Sequence, residues 1–321
     1  MSDSVADFAA DTERFRRELL AHCYRMVGSP HDAEDLVQET YLRAWRSYDR
    51  FEHRASVRSW LYRIATNVCL TASRTRPVRV LPSGLTGTDD GVSWLEPLPD
   101  AWIGDPAWID DPATTVVTRE SLRLALIAGL QHLPARQRAI LLLRDVLAFS
   151  AVETAEILGT TTAAVKSGLH RARTRLDELR PHPEELLEPS DPRARALLEA
   201  YITAFEHSDA ALLETVLRAD ATLEATPFRD WQSGRADCIH LLATHVLGAP
   251  GDWRLTPTAA NGHPAAVVHH RSRPDGVVVL EATPTGVSRV IKFHDPTLVA
   301  VFAQPRTQNS LPSGSASTVH G

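Results

Sequence analysis

Residues 149–176, FSAVETAEILGTTTAAVKSGLHRARTRL, have residue types and spacing suited to nucleic-acid chemistry. Ser150 with Glu153 three positions later is a capping-box signature, opening a short helix that ends near Leu158. Gly159 stands where a C-cap glycine belongs. A second helix begins at Thr161 or Thr162. On it, Val165, Leu169, Ala172 and Leu176 recur at helical spacing and face inward. Ala163, Ser167, His170, Arg171 and Thr174 face outward, flanked by Lys166, Arg173 and Arg175. Small polar side chains come first and arginines later. Such a helix can bring its N-terminal end to base edges while its arginines hold phosphates. The pattern is that of a helix-turn-helix. An ordinary helical hairpin with a solvated basic face has the same spacing.

A second constellation lies upstream. Between residues 32 and 46, Leu36, Val37, Tyr41, Ala44 and Trp45 form one apolar stripe. Asp32, Glu34 and Asp35 sit in the first turn and Arg43 and Arg46 in the last, an order that complements the helix dipole. A further helix over 57–73 buries Val57, Trp60, Leu61, Ile64, Ala65 and Val68, so Trp60 reads as core packing. Arg63, Asn67 and Arg74 share its other face.

These helices need elements to position them. Residues 77–112 hold six prolines, several glycines and three tryptophans, Trp94, Trp102 and Trp108. Proline and glycine at that density preclude regular helix or strand. Disordered segments are poor in aromatics, so an extended linker, partly docked through its tryptophans, is expected. Helices follow over 121–130 and from 133 onward. After a proline-rich hinge at 181–192, helices are expected over 193–207, 210–217 and 236–247. Strands are expected over 265–270, 277–282 and 288–294. Helices followed by antiparallel strands imply an α+β domain.

Charge supports this division. The net charge of −6 conceals two basic blocks: residues 11–79 and 119–180 each carry net +4. Between them, 80–118 has seven acidic residues and no basic one, and 181–321 is net −5. Two modules that meet a polyanion, separated from one that does not, would have this pattern. The acidic start lacks a secretory signal and no apolar run reaches membrane-spanning length, so cytoplasmic location without membrane contact is expected. Cys23, Cys69 and Cys238 form neither a CxxC pair nor a zinc set. No metal or cofactor is expected.

The motifs also carry a family resemblance. SAVETAEILGTTTAAVKSGLHRARTRL, with LPARQRAILLLRDVLAFS before it, resembles the −35-reading domain of extracytoplasmic-function sigma factors of the sigma-70 family. DAEDLVQETYLRAWRSYDRF and SVRSWLYRIATNVCL resemble the segments of that family that bind core polymerase and read the −10 element. The two motifs stand in the family's order and cover roughly residues 11–180.

The resemblance implies roles. Asp32, Glu34, Asp35, Leu36, Gln38, Glu39 and Arg43 would bind the β′ coiled coil of core RNA polymerase. Phe51, Arg54, Arg58, Arg63, Asn67 and Arg74 would engage the −10 element, where unstacked bases meet aromatics and amides while arginines hold the backbone. Thr161, Thr162, Ala163, Lys166, Ser167, His170, Arg171 and Arg173 would read the −35 element of promoter DNA. The polymerase β flap is a further implied partner; an anti-sigma factor is left open. Gly168, in mid-recognition-helix, departs from the bulkier residue common in the family, and implies a close approach of backbone to DNA or to another domain.

DPRARALLEAYITAFEHSDAALLETVLRADATLEATP and the strands ending in FHDPTLVAVF resemble the SnoaL-like branch of the NTF2-like superfamily. That implies a cone of curved sheet around a pocket. Trp231, His245, His269 and Phe293 are candidates to line it around a small ligand. Asp230, Asp237, His240, His245, His269 and His294 are candidate bases.

The expected fold class is therefore multidomain: two all-α helical domains, the second a helix-turn-helix, followed by an α+β NTF2-like cone domain. The expected limits are 11–76, a linker 77–118, 119–180, a hinge 181–192, the cone 193–304 and a disordered tail 305–321. The function implied is promoter recognition with polymerase, with no catalytic residue and with the cone regulating in cis. Two rivals are a polymerase-independent helix-turn-helix regulator with a ligand-sensing domain, and an enzyme carried by the cone.

Overall fold

The structure is a computed structural model and describes residues 8–51, 56–85, 92–104, 120–179, 185–229 and 231–304. The first module is built on α1 (Arg16–Val27), α2 (Pro30–Ser47) and α3 (Val57–Ala72). Gly28 ends α1 at φ +72°, and Ser29 caps α2 by accepting from the Asp32 amide at 3.2 Å, with Pro30 in the first turn. A Cβ at Gly28 would lie 2.7 Å from Leu95 Cδ1, so glycine both makes the turn and admits the linker.

The linker is docked where it is described. Strands β1 (Arg79–Val80) and β2 (Ser93–Trp94) pair in parallel, and α4 (Asp100–Ile103) follows. Leu81, Leu95, Leu98 and Trp102 are buried. Each buried leucine contributes about 1.5–3 kcal/mol relative to exposure, enough to keep an otherwise irregular segment in place. Trp94 is half-buried; Trp108 lies outside the described residues.

The second module comprises α5 (Leu124–Gln131), α6 (Ala135–Leu141) continued by a π-helical turn at Leu142–Val146, α7 (Ala151–Leu158) and α8 (Thr162–Leu179). Both halves of the Ser150–Glu153 capping box are formed, and Gly159 adopts the left-handed C-cap conformation.

The third module has α9 (Pro192–Glu206), α10 (Ala210–Val216), α11 (Arg235–Leu241), α12 (Pro296–Ala303) and six strands. These are β3 (Leu217–Thr226), β4 (Trp231–Ser233), β5 (Trp253–Ala260), β6 (His263–His270), β7 (Arg273–Thr283) and β8 (Gly286–Phe293). The sheet order is β4-β3-β8-β7-β6-β5, antiparallel except for the parallel pair β3–β8. Three strands exceed the sequence expectation. β3 has the polar run LRADATLEAT, in which only one face is apolar.

Strand alternation gives the sheet two apolar faces. Ala266, Val268, Val278, Leu280 and Val290 pack under α9 and α10. Ala265, Val277, Val279, Ile291 and Phe293 face the other way and join the core of the two helical modules. One hydrophobic core thus runs from α1 through the linker and α5–α8 to the outer face of the sheet. Among the described residues no helix is long and apolar enough to cross a membrane.

Candidate polymerase and promoter interface

Among the exposed positions of α2, Asp35, Gln38, Leu42, Trp45 and Arg46 form one stripe, with Arg43 exposed beside it. Leu42 is 51% exposed and Trp45 39%. Large apolar side chains at that exposure, ringed by charge, suit a protein partner. Sequence periodicity had put Trp45 on the buried stripe and passed over Leu42. Trp45 instead sits at the margin, edge-on to Phe8 at 5.4 Å. Glu39 and Arg43 pair with each other at 2.6 Å. The other candidates are less available. Leu36 is core. Asp32 is held by Arg79 at 2.9 Å and Arg76 at 3.3 Å, and Glu34 pairs with Arg16.

On α3, capped by Ser56, Arg63 and Asn67 are exposed, and so is Arg74 in the turn that follows the helix. A surface cleft of about 250 Å³ opens between α2 and α3, lined by Arg43, Ser47, Trp60, Arg63, Ile64 and Asn67. Phe51 stacks on Trp60, centroids 4.6 Å apart and planes 24° from parallel. Trp60 packs against the core as its periodicity predicts, but at the core's margin, half-buried, so that it also forms a cleft wall. An aromatic wall, an amide and two guanidiniums are what an unstacked base and its phosphate require. Arg58 is placed differently. It binds Glu18 at 3.1 Å and lies over the rings of Tyr62 and of Phe149 from the second module. Arg54 falls outside the described residues.

The eight candidate reading residues, Thr161 just before α8 and Thr162, Ala163, Lys166, Ser167, His170, Arg171 and Arg173 on it, are all exposed. Arg173 is fixed by a two-pronged pair with Asp145, at 2.9 and 2.7 Å. That carboxylate raises the Arg173 pKa and sets the direction of its guanidinium. Gly168 faces inward: a Cβ there would come 2.6 Å from Ile140 Cδ1 on α6. The close approach expected at this glycine is thus between two helices of its own module, not with DNA.

The cone pocket expected around Trp231, His245, His269 and Phe293 is not assembled. Trp231 is cross-strand partner to Glu224 and 45% exposed. Phe293 is buried on the outer face of the sheet. His269 alternates with Val268 onto that same side, while His245 is exposed on the π-helical turn after α11. The inner side is filled by apolar residues packed under α9–α11. Of the candidate bases, Asp237 and His240 are exposed, and His294 pairs with Asp275 at 3.4 Å. Asp230 lies outside the described residues.

The β5–β6 turn contributes a residue that sequence reasoning did not single out. Asn261 is 1% exposed, at φ +55°. Its Oδ1 accepts from the Leu98 amide at 2.7 Å. Its Nδ2 donates to Tyr24 Oη at 2.9 Å and to the Leu122 carbonyl at 2.6 Å. Beside it Arg123 donates to the Gly262 carbonyl at 3.3 Å, and the Gly262 amide donates to Asp100 at 2.9 Å. Farther along, Glu224 accepts from the Ser83 amide and from Arg289, at 2.9 and 2.6 Å.

Comparison with known proteins agrees with this architecture. Residues 12–77 match Sigma-70 region 2 and residues 123–176 match Sigma-70, region 4. The ECF RNA polymerase sigma factor SigG of Mycobacterium tuberculosis (strain ATCC 25618 / H37Rv) is 48% identical, the alignment covering 93% of this chain and 84% of that one. SigJ of the same strain is 31% identical over 66% of this chain and 63% of its own. The crystal structure of M. tuberculosis SigJ superposes with a TM-score of 0.60 at 23% identity, covering 92% of this chain and 98% of that one. The two share the overall fold. A polymerase-independent regulator would leave the region 2 module without a purpose. The chain belongs to the extracytoplasmic-function sigma factors, which bind core RNA polymerase and direct it to promoter DNA.

Proposed function

We propose that the cone domain of this sigma factor holds its two DNA-binding modules in a closed arrangement and so restrains promoter engagement. The observation that carries the reading is Asn261, whose one side chain joins region 2 at Tyr24, the linker at Leu98 and the approach to region 4 at Leu122. In this arrangement Phe149 covers Arg58 at one end of the −10 helix, while the α8 reading face stays open. Release of the turn would free Arg58 and let the two modules separate.

In this reading Asp35, Gln38 and Arg43, with Leu42 and Trp45, dock on polymerase. Arg63, Asn67 and Arg74, with the Phe51–Trp60 wall, take the −10 element. Thr161, just before α8, to Arg173 on it read the −35 element. The chain acts by binding, has no catalytic residue, and works in the cytoplasm with RNA polymerase. The test is a pull-down and run-off transcription with core polymerase, comparing the full chain with residues 1–189. Polymerase capture by both and more transcript from the shorter chain are expected. Equal transcript yield and equal polymerase affinity would refute restraint by the cone.

A further inference from the structure

A second cleft, of about 310 Å³, lies between the C-terminal ends of α1 and α3 and the start of α6, at the seam of the two helical modules. Its polar wall is dominated by guanidiniums: Arg76, Arg79 and Arg138, against the carboxylate of Asp32, with Ser73 and Gln131 as neutral neighbours. Arg79 also pairs with Glu96 at 2.6 Å. Arg76 and Arg79 thus share Asp32 and Glu96, and Arg138 leaves the cluster at net +1.

Arg138 is the unusual member. It is 4% exposed and bridges the modules. Its guanidinium donates to the Met26 carbonyl, to Gln131 Oε1 at 2.8 Å, and to the carbonyls of Gln131 and Leu133 at 3.0 and 3.2 Å. All these acceptors are neutral. Among the described residues no carboxylate lies within ion-pair distance of it, and its Nε has no hydrogen-bond partner. A buried cation without an anion is costly, several kcal/mol in desolvation alone. The α1 carbonyl end offsets part of this cost. Burial accordingly pulls the Arg138 pKa down to about 10.

We propose that this cleft binds a small phosphate monoester, whose dianion supplies the counter-charge that Arg138 lacks and gives Arg76, which shares Asp32 with Arg79, a second anion. The volume stands at the low end of small-ligand sites, roughly 300–1,000 Å³. It admits a sugar phosphate or a mononucleotide and excludes a duplex. The remaining wall, with Met26, Val27 and Leu133, is apolar and suits the uncharged body of such a ligand. Because the walls come from both helical modules, bound ligand would strengthen their seam. The inference needs that seam, and is independent of what the cone does to transcription.

The test is calorimetric titration and thermal shift of the full chain with inorganic phosphate, ribose 5-phosphate and adenosine monophosphate. Ribose and adenosine serve as uncharged controls, and a short single-stranded oligodeoxynucleotide as competitor. Saturable one-to-one binding of a phosphate ester but not of its uncharged counterpart is expected. Arg76→Gln, at a half-exposed position, should weaken it about tenfold while circular dichroism stays unchanged. Arg138→Gln should abolish it. Absence of saturable binding by all three probes would overturn the proposal. So would binding indifferent to Arg76→Gln, and so would displacement by the oligonucleotide, which would give the cleft to nucleic acid.

Discussion

Replacing Asn261 by alanine is the sharpest perturbation of the closed arrangement. The side chain satisfies the Leu98 amide and the Leu122 carbonyl, and gives Tyr24 Oη one of its partners. Tyr24 keeps its own bond to the Glu96 carbonyl at 2.8 Å, so two backbone groups are orphaned. Each costs about 1–3 kcal/mol when buried without a partner. Alanine also tolerates the left-handed φ of +55° less well, by about 1 kcal/mol. The docking free energy should fall by roughly 3–7 kcal/mol, shifting the closed-to-open ratio by about 10² to 10⁵. Asn261→Gly removes the same hydrogen bonds without the backbone penalty, so it should lose about 1 kcal/mol less. Hydrogen exchange at the Leu98 amide reads the docking directly, and run-off transcription reads its consequence. Faster exchange together with unchanged transcription would detach the seam from function. Unchanged exchange would refute the energetic reasoning itself.

Acid should loosen the molecule at two histidines. His22, facing Arg25 and Arg58, and His263, facing Arg123 and Arg289, are fully buried, and burial lowers each pKa to about 3 from 6.5. The folded form refuses a proton that the exposed imidazole accepts. The stabilisation is therefore complete above about pH 6.5 and is lost toward pH 3, by up to about 1.4 kcal/mol per unit and per histidine. Thermal melts at pH 7.5 and 5.5 should differ, and His263→Phe should reduce the difference. Leu42→Asp should weaken capture of core polymerase by about 2 kcal/mol in a competition pull-down while leaving the melting temperature unchanged. Gly168→Ala should be close to neutral in a melt, since helix propensity gains about 1 kcal/mol and Ile140 Cδ1 can turn away. Gly168→Leu should cost about 1–3 kcal/mol by overpacking.

What the sequence made legible follows from how local each signal is. The capping box at Ser150 and the C-cap at Gly159 are set by residues within a few positions of each other, and both were readable. The α8 face was readable because one helical period assigns every residue inward or outward. Periodicity gives direction, not depth: Trp60 packs on the core as expected but only half-buried, and Trp45 lies exposed where its stripe runs out at the edge of the bundle. The cone pocket failed for a non-local reason. Which side of β6 and β8 meets the rest of the chain depends on where the helical modules dock, and the side with Phe293 was taken by them. Asn261 carried no signal at all. An Asn-Gly turn between strands looks like any hairpin until residues 24, 98 and 122 are brought to it.

The seam also has a timetable. Its two halves are far apart in the chain, with Tyr24 near one end and Asn261 more than two hundred residues later. During synthesis, region 4 is complete at about residue 180, and the ribosome then adds some 80 further residues before the turn exists. At roughly 5–20 residues per second that takes about 4–16 s. Every newly made copy therefore passes through a period in which both DNA-binding modules are present and nothing yet joins them to the cone. If the cone restrains promoter engagement as proposed, that restraint is acquired only once the turn has been made, and a truncated translation product would never acquire it.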